Sequence, residues 1–296
     1  MQQSIRQTFK YLNMNLIVGK EFFSENVVRL EVEAPRIAKA RRAGHFVIIR
    51  IGEKGERIPL TIAGSDVQKG TITLVAQRIG VSTHKLAELN VGDYITDIVG
   101  PLGQATKIEK QENTVLACGG GVGVAPLLPI IEAHHKAGNR VVAVLAARTK
   151  NLIILEEQVR QFADDVIIMT DDGSYGDKGV VTVGMEKVIA REKVSEAIVI
   201  GPAIMMKFAA LTTKKYDIPT WASLNTVMVD GTGMCGACRV TVDGKTKFVC
   251  VDGPEFDAHK VDFDAMLRRI GGFRAEEQAA MSQYLAQKEK GEASCQ

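Results

Sequence analysis

The sequence predicts a β-barrel domain, then an α/β domain with a doubly wound parallel sheet, then a small loop-rich C-terminal subdomain. Three observations support this fold class. Short alternating and β-branched runs fill residues 16–105, apolar strands alternate with helical segments after Thr114, and three cysteines cluster in a glycine-rich stretch after Pro219. A chain of 296 residues is also too long for one ordinary core. We place the domains at 1–106, 107–221 and 222–296.

The barrel domain is predicted from several short strands. Alternating or β-branched runs occur at 27–32, 46–51, 71–76 and 94–99, and turn residues separate them. One helix, at about 84–89, interrupts the strands. Short strands at this spacing are typical of a small barrel.

The second domain begins where the periodicity changes. We predict strands at 115–118, 141–146, 166–170 and 197–200, and helices at 126–137, 155–162 and 180–189. Apolar strands that alternate with helices indicate a parallel, doubly wound sheet, which binds ligands at the carboxyl ends of its strands. The polar stretch 104–113 marks the boundary between the two domains.

Composition and the N-terminal sequence bear on which partners and which compartment to expect. With 46% hydrophobic and 24% charged residues the composition is that of an ordinary globular protein, and the net charge of +2 argues neither for nor against anionic surfaces. We expect no nucleic-acid partner. The chain has no run of about 18 apolar residues, and residues 1–15 lack the apolar stretch of a secretory signal. We therefore predict a cytoplasmic protein without a membrane span.

The cysteine content does not predict disulfides. Three cysteines fall close together and two are isolated: Cys235, Cys238 and Cys250, and then Cys118 and Cys295. An odd, clustered set in a chain without an export signal indicates ligands in a reducing compartment.

The cysteine cluster has the spacing of an iron–sulfur site. From Asp230 to Cys250 it reads D-x4-C-x2-C-x11-C. Plant-type 2Fe–2S sites use C-x4-C-x2-C with a distant fourth cysteine. Asp230 therefore stands where the first ligand belongs, followed by Cys235, Cys238 and Cys250. The intervening glycines allow backbone amides to fold around inorganic sulfide.

The same residues allow other interpretations. A structural zinc ion accepts thiolates together with a carboxylate oxygen, and buried cysteines are often inert. Asp230 also suits a turn, and then Cys118, Cys295 or water would supply the fourth ligand. The x4 spacing favours Asp230.

Two segments of the barrel domain are candidates for a flavin site. They comprise Arg57, Pro59, Leu60, Thr61 and Ile62 in one segment, and Gly80, Ser82 and Thr83 in the other. The Arg57 guanidinium can pair with a pyrophosphate, and the strand around Thr61 can face an isoalloxazine ring. The second segment precedes a helix, where hydroxyls and amides suit a phosphate. Alone, each segment also fits an ordinary edge strand or helix cap.

A glycine-rich run follows the first strand of the second domain and opens its first helix. The candidate residues are Gly119, Gly120, Gly121, Val122, Gly123, Ala125 and Pro126. In this context the backbone amides and the helix dipole favour a diphosphate. The run departs from a strict G-x-G-x-x-G pattern, and a tight strand–helix turn would also explain it.

Later strand ends add to the same predicted crevice. The candidates are Asp171, Asp172 and Gly173 after one strand, and Gly201 and Pro202 after another. Arg148, at a third strand end, would read a 2′-phosphate and favour NADPH, or would lie in a solvated loop.

Together these motifs resemble the ferredoxin–NADP reductase superfamily, through R-x-P-L-T at 57–61 and G-G-G-x-G-x-A-P at 119–126. The stretch 170–176 and the cysteine cluster narrow the resemblance to the electron-transfer subunit of type B dihydroorotate dehydrogenase. They resemble even more the small subunit of the electron-bifurcating NADH-dependent ferredoxin:NADP oxidoreductase family. The resemblance covers about residues 14–275. Asp230 separates the two families, because the first has four cysteines at its cluster and the second has an aspartate.

The resemblance implies an oxidoreductase subunit with FAD, a 2Fe–2S cluster and NAD(H). NADH would dock at 119–126 and reduce a flavin held by Arg57, Thr61 and Ser82, and the cluster would relay single electrons. NADH is implied over NADPH, against the hint from Arg148. We assign no catalytic acid or base, since the flavin and the nicotinamide carry the chemistry.

The resemblance also implies a partner. This is a large subunit with a second FAD, 4Fe–4S clusters and the NADPH site, through which ferredoxin is served indirectly. Two alternatives are the subunit of type B dihydroorotate dehydrogenase and a non-catalytic scaffold subunit with zinc in the cysteine loop.

Overall fold

The computed structural model describes residues 15–293, with side chains up to residue 290. Residues 1–14, where we predicted no secretory signal, and the alternative ligand Cys295 lie outside that range.

The first sheet is antiparallel and nearly closed. Its strands are β1 (Asn15–Ser24), β2 (Val27–Glu33), β3 (Phe46–Arg50), β4 (Arg57–Asp66), β5 (Thr71–Gln77), β6 (Tyr94–Ile95) and β7 (Asp97–Leu102). The strand order is β6-β1-β2-β5-β4-β3-β7, so the two edge strands are separated in the chain by Thr96 alone. The sheet must therefore curl until its edges approach, which confirms the predicted barrel.

Two helices accompany the barrel: α1 (Pro35–Ala40) and α2 (Val81–Glu88). The sequence predicted a helix at 84–89, whereas α2 begins at Val81. The Thr83 hydroxyl accepts hydrogen bonds from the backbone N–H groups of Ile79 and Gly80 at 3.0 and 3.1 Å, which fixes the earlier start.

The second sheet is mainly parallel and confirms the doubly wound prediction. Its strands are β8 (Thr114–Gly120), β9 (Val141–Ala147), β10 (Asp165–Thr170), β11 (Asp177–Lys178), β12 (Val194–Ile200) and β13 (Thr220–Ser223). The strand order is β11-β10-β9-β8-β12-β13. Strands β9 to β11 are added on one side of β8 and strands β12 and β13 on the other, so the order of addition switches sides between β8 and β12. In such sheets the ligand crevice lies at this switch point, outside the carboxyl ends of the strands.

Four helices cover this sheet: α3 (Val124–Lys136), α4 (Glu156–Arg160), α5 (Val181–Arg191) and α6 (Ala203–Lys214). α3 begins earlier than predicted, and Pro126 falls in its first turn, where no backbone N–H is needed. The predicted helix at 155–162 was too long. Leu155 has a left-handed φ of 58° and precedes the first helical residue, and the helix ends at Arg160. The sequence analysis missed α6, which has no side-chain cap at its N-terminus.

The C-terminal segment forms a hairpin and three helices. Its elements are β14 (Arg239–Val242), β15 (Lys245–Phe248), α7 (Val249–Asp252), β16 (Glu255–Asp257), α8 (Phe263–Ile270) and α9 (Arg274–Ala293). β16 pairs antiparallel with β13 and so extends the second sheet. The division at residue 221 stays a prediction, since the sheet continues beyond it.

Apolar side chains fill the space inside the barrel and both faces of the second sheet. Val142, Val144 and Val199 are completely buried in β9 and β12, as a sheet covered on both faces requires. No helix within residues 15–293 is both long and apolar enough to cross a membrane.

Candidate functional site

A cavity of about 1430 Å³ opens between the barrel and the switch point of the second sheet. Twelve of the predicted residues line it: Pro59, Leu60, Thr61, Gly120, Gly121, Val122, Gly123, Ala125, Pro126, Asp171, Gly201 and Pro202. The flavin segment and the glycine-rich run, separated by some sixty positions in the sequence, thus face one space. A flavin on β4 and a nucleotide on the glycine-rich run would share this cavity.

The barrel side of the cavity is largely apolar. Phe46 of β3 pairs with Thr61 of β4, and Val75 and Ile79 complete this wall. An apolar wall beside the polar strand edge at Thr61 suits a flat heteroaromatic ring with one polar rim. The sequence analysis did not identify Phe46, Val75 or Ile79, because they carry no motif.

The glycine-rich run is packed tightly as well as open to the cavity. A Cβ at Gly123 would lie 2.4 Å from the carbonyl oxygen of Ile200, and one at Gly120 would lie 2.2 Å from Sδ of Met205. Gly121 has a φ of +54°, in the left-handed region, with no atom within 4 Å of its Cβ position. Close packing against backbone therefore requires glycine at Gly123, the contact at Gly120 is with the flexible Met205 side chain, and backbone conformation favours glycine at Gly121.

Three predicted residues near the crevice do not line the cavity: Gly119 of the glycine-rich run, and Asp172 and Gly173 after β10. Gly119 is buried in β8, where a Cβ would lie 2.9 Å from Cγ2 of Val124, so its glycine serves packing. Asp172 and Gly173 lie in the exposed turn after β10 and do not line the cavity. Hydrogen bonds from Ser174 lower the pKa of the Asp172 carboxyl.

Arg148 and Asp171 both line the crevice, at the ends of neighbouring strands.

Arg57 and Ile62 do not line the large cavity either. Ile62 is fully buried in the barrel core. Arg57 donates a hydrogen bond from Nε to the carbonyl oxygen of Val229 at 2.5 Å. Because Val229 precedes Asp230, this contact ties the flavin segment to the start of the cysteine loop.

Gly80, Ser82 and Thr83 lie at the N-terminus of α2, beyond the rim of the large cavity. The Ser82 hydroxyl donates to the Glu56 carboxylate and lines a second cavity of about 460 Å³. Gly80 has no atom within 4 Å of its Cβ position, so the backbone there is open to approach by a ligand.

The sequence analysis missed a further wall of the crevice, which the C-terminal segment supplies. These residues are Ser223, Leu224, Asn225, Met228 and Pro254. They lead directly into the cysteine loop, so one stretch of chain borders both the crevice and the candidate cluster. No local pattern marks them, because their position depends on the pairing of β13 with β16.

The cysteine loop brings its four candidate ligands together as two pairs. Cys238 and Cys250 are buried, and their sulfur atoms lie 3.2 Å apart. The Asp230 carboxylate accepts hydrogen bonds from the backbone N–H groups of Cys235 and Thr232 at 2.9 and 2.6 Å. Cys235 is exposed, and within residues 15–290 no three His, Cys, Asp or Glu side chains converge as a metal-binding set.

Charge and backbone geometry in the loop suit a cluster. The amides of Thr232 and Cys235 lower the pKa of the Asp230 carboxyl, which keeps it anionic. Burial, reinforced by the neighbouring Cys238, raises the pKa of the Cys250 thiol to about 12, while the Gly233 amide opposes that rise by donating to the sulfur. A bound cation would remove the cost of ionising this thiol. The three thiols and the carboxylate are therefore donors of the kind that an iron–sulfur group takes, and Cys238 and Cys250 already lie in contact.

Three glycines shape this loop. Gly231, Gly233 and Gly236 all have positive φ, between 65° and 85°. The left-handed conformation costs other residues about 1–2 kcal/mol each, so the repeated glycine permits successive amides to turn inward. Cys118, one alternative fourth ligand, lies instead in the middle of the second sheet, where burial raises the pKa of its thiol.

Comparison with known proteins places the chain in a family. A sequence model of the iron–sulfur cluster binding domain of dihydroorotate dehydrogenase B matches residues 225–262, which span the cysteine loop. The dihydroorotate dehydrogenase B electron transfer subunit homolog of Thermotoga maritima is 46% identical over 272 residues, covering 92% of this chain and 96% of that protein.

Solved structures with a similar fold support the same placement. A chain from the NADH-dependent reduced ferredoxin-NADP oxidoreductase structure, described for flavin-based electron bifurcation, has a TM-score of 0.87 and 45% identity over 92% of this chain and 98% of its own. The cytochrome b5 reductase domain of Ulva prolifera nitrate reductase shares the fold alone, with a TM-score of 0.57 and 18% identity over 69% and 93% of the chains. The predicted resemblance is confirmed: the chain belongs to the family of dihydroorotate dehydrogenase B electron-transfer subunits and their homologues.

Proposed function

We propose that this chain exchanges electrons with NAD(H) through FAD and relays them singly through a 2Fe–2S cluster to a partner subunit. The observation that carries the proposal is the shared cavity. Leu60 and Thr61 of the flavin segment face the same space as Gly121 and Gly123 of the nucleotide segment. Hydride transfer requires the two rings in contact, and this chain alone builds a space for both.

The residues of the crevice would bind and orient the flavin and the nicotinamide nucleotide. The N-terminus of α3 and the amides of the glycine-rich run favour the diphosphate of NAD(H). The apolar wall around Phe46 would exclude water from a bound flavin ring, and Thr61 would offer it a hydroxyl. Bound FAD supplies the conversion between two-electron and one-electron steps.

The cysteine loop holds the one-electron relay. Cys238 and Cys250, in contact in the core, would hold one iron, and Asp230 and Cys235, joined by a backbone hydrogen bond, the other. The bond from Arg57 to Val229 fixes this loop against the flavin strand. A bound cluster would supply single-electron transfer, and the exposed Cys235 places one edge of its site at the protein surface.

Within the family, Asp230 favours the electron-bifurcating NADH-dependent ferredoxin:NADP oxidoreductase type over type B dihydroorotate dehydrogenase. The first ligand position carries an aspartate, and the 45% identical solved relative is described for bifurcation. The partner would then be a large subunit with FAD and 4Fe–4S clusters that serves ferredoxin and NADPH in the cytoplasm.

Anaerobic purification with flavin, iron and zinc analysis tests this function. We expect one FAD and one 2Fe–2S cluster per chain, and bleaching of the flavin absorbance on addition of NADH. Cys235→Ser should abolish the iron–sulfur absorbance but keep the NADH-reducible flavin, because Cys235 is exposed and outside the crevice. Protein that holds zinc, with neither flavin nor iron, would establish the scaffold alternative instead.

A further inference from the structure

The second cavity lies between the barrel and the C-terminal helix α9. Barrel residues such as Ile58 form its floor, Ser82 and Lys85 of α2 form one side, and α9 forms the roof. The second cavity lies close to the large one. Pro59 and Ile79 line the large cavity, and Ile58 and Val81 line the second, so two backbone segments pass from one cavity into the other.

α9 presents a single face to this cavity. Its lining residues are Ala280, Gln283, Tyr284, Gln287 and Lys288. The spacing of three and four positions is that of one helical stripe. Since α9 is otherwise exposed almost throughout, the contact with this cavity is the feature that distinguishes one side of the helix from the other.

The helix is held to the barrel by polar contacts. The Tyr284 hydroxyl donates to Glu88 of α2, Lys288 pairs with the same carboxylate, and the Tyr284 ring lies edge-on to His84 at 6.1 Å. Exposed pairs of this kind contribute little to stability. A ligand that filled the space between α9 and the barrel would therefore strengthen the docking of the helix.

The chemistry of the cavity favours an anionic, partly aromatic ligand. Lys54 and Lys85 line it without an ion pair to another described residue, and with Lys288 they outnumber Glu56, the one carboxylate of the lining, which accepts the Ser82 hydroxyl. Val81 and Ser82 of the first turn of α2, where backbone amides have no partner within the helix, line the same cavity. Tyr284 adds an aromatic side chain opposite the aliphatic Ile58. Positive charge beside an aromatic and aliphatic lining suits a nucleoside diphosphate.

We propose that α9 completes the binding site for the adenosine diphosphate half of FAD, whose isoalloxazine half occupies the large cavity. The inference rests on the proposed flavin function and adds a role for the C-terminal helix. By linkage, FAD must stabilise the docked helix by as much as the helix stabilises bound FAD. The docked helix thus tightens the binding of FAD.

The test compares FAD with FMN, which lacks the adenosine monophosphate portion, in the full chain. Tyr284→Ala removes the aromatic contact, and Ala280→Pro breaks the helix just before it. Since a stacked base contact is worth about tenfold or more in affinity, we expect both variants to raise the FAD dissociation constant at least about tenfold and to leave the FMN constant unchanged. Leu285→Ala, a large-to-small change at a position that does not line the cavity, is the matched control.

Three results have distinct meanings. Weaker FAD binding with unchanged FMN binding supports the proposal. Equal FAD affinity in Tyr284→Ala, Ala280→Pro and the unmodified chain overturns the role of α9 but leaves the flavin function intact. Failure of the unmodified chain to bind either flavin overturns the proposed function itself.

Discussion

Asp230 has one observed role and one predicted role. Its carboxylate closes a turn by accepting the amides of Thr232 and Cys235, and it also stands at the first ligand position of the cluster spacing. The sequence analysis left a turn residue and a ligand as alternatives. The structure shows the turn contacts, and the ligand role stays a prediction that is compatible with them, because each carboxylate oxygen has a second lone pair for a cation.

Replacing Asp230 distinguishes the two roles. Asp230→Cys should keep the cluster and shift its reduction potential, because a soft thiolate replaces a hard oxygen on one iron. Asp230→Asn keeps an oxygen for the amide bonds but loses the charge, so we expect it to lower the iron content. Protein-film voltammetry and iron analysis measure both effects. An unchanged potential in Asp230→Cys would show that Asp230 serves only the turn.

Arg57 illustrates how a side chain's role depends on its surroundings. The sequence analysis assigned its guanidinium to a pyrophosphate, from the residue type and the neighbouring strand alone. In the structure Nε binds the carbonyl oxygen of Val229, which lies 172 positions farther along the chain. The assignment to FAD stays a prediction, and the contact with the cysteine loop could not be foreseen from local sequence.

At the level of elements, the turn from β8 into α3 is the most constrained part of the crevice. It was predicted from its glycines and its strand–helix context. The structure adds that Gly123 lies against β12, since a Cβ there would also come within 2.9 Å of the Gly201 backbone. Close packing thus requires a small residue here, apart from the predicted phosphate binding, which would also favour one.

Gly123→Ala tests this constraint. The added methyl group must displace backbone, and overpacking of this kind costs about 1–3 kcal/mol. We expect a lower free energy of unfolding and weaker NADH binding, measured by denaturant titration and by flavin bleaching. Gly271→Ala is the matched control, because no atom lies within 4 Å of its Cβ position and its φ is −76°. Equal stability of the two variants would contradict the packing argument.

At the level of the whole molecule, Glu255 joins parts that are distant in sequence. It lies in β16 and accepts a hydrogen bond from the Thr106 hydroxyl at 2.6 Å, while the Thr106 amide donates to Ala43 beside the barrel. Burial, reinforced by the charge of Glu196, raises the pKa of the Glu255 carboxyl to about 7. The contact between barrel and second sheet therefore includes a carboxyl that releases its proton near neutral pH, well above the ordinary range.

The sign of the pH effect follows from this raised pKa. The folded protein binds the proton more tightly than the unfolded chain, so stability falls as pH rises from the ordinary value of 4.5 through about 7. The loss is at most about 3 kcal/mol. Glu255→Gln should reduce this dependence, seen as a smaller difference in Tm between about pH 5 and about pH 8. The exposed Glu157→Gln is the control, and an unchanged pH dependence in Glu255→Gln would exclude this role.

The sequence by itself determined the barrel, the parallel sheet, the glycine-rich turn and the ligand spacing of the cysteine loop. Each of these depends on residues close together in the chain, through strand periodicity, turn chemistry or loop spacing. Only the tertiary structure decided what those motifs face. The shared cavity, the bond from Arg57 to Val229, the wall at Ser223–Met228 and the contact of α9 with α2 all join residues far apart in sequence. Such contacts arise from sheet pairing and helix docking, which no local pattern encodes.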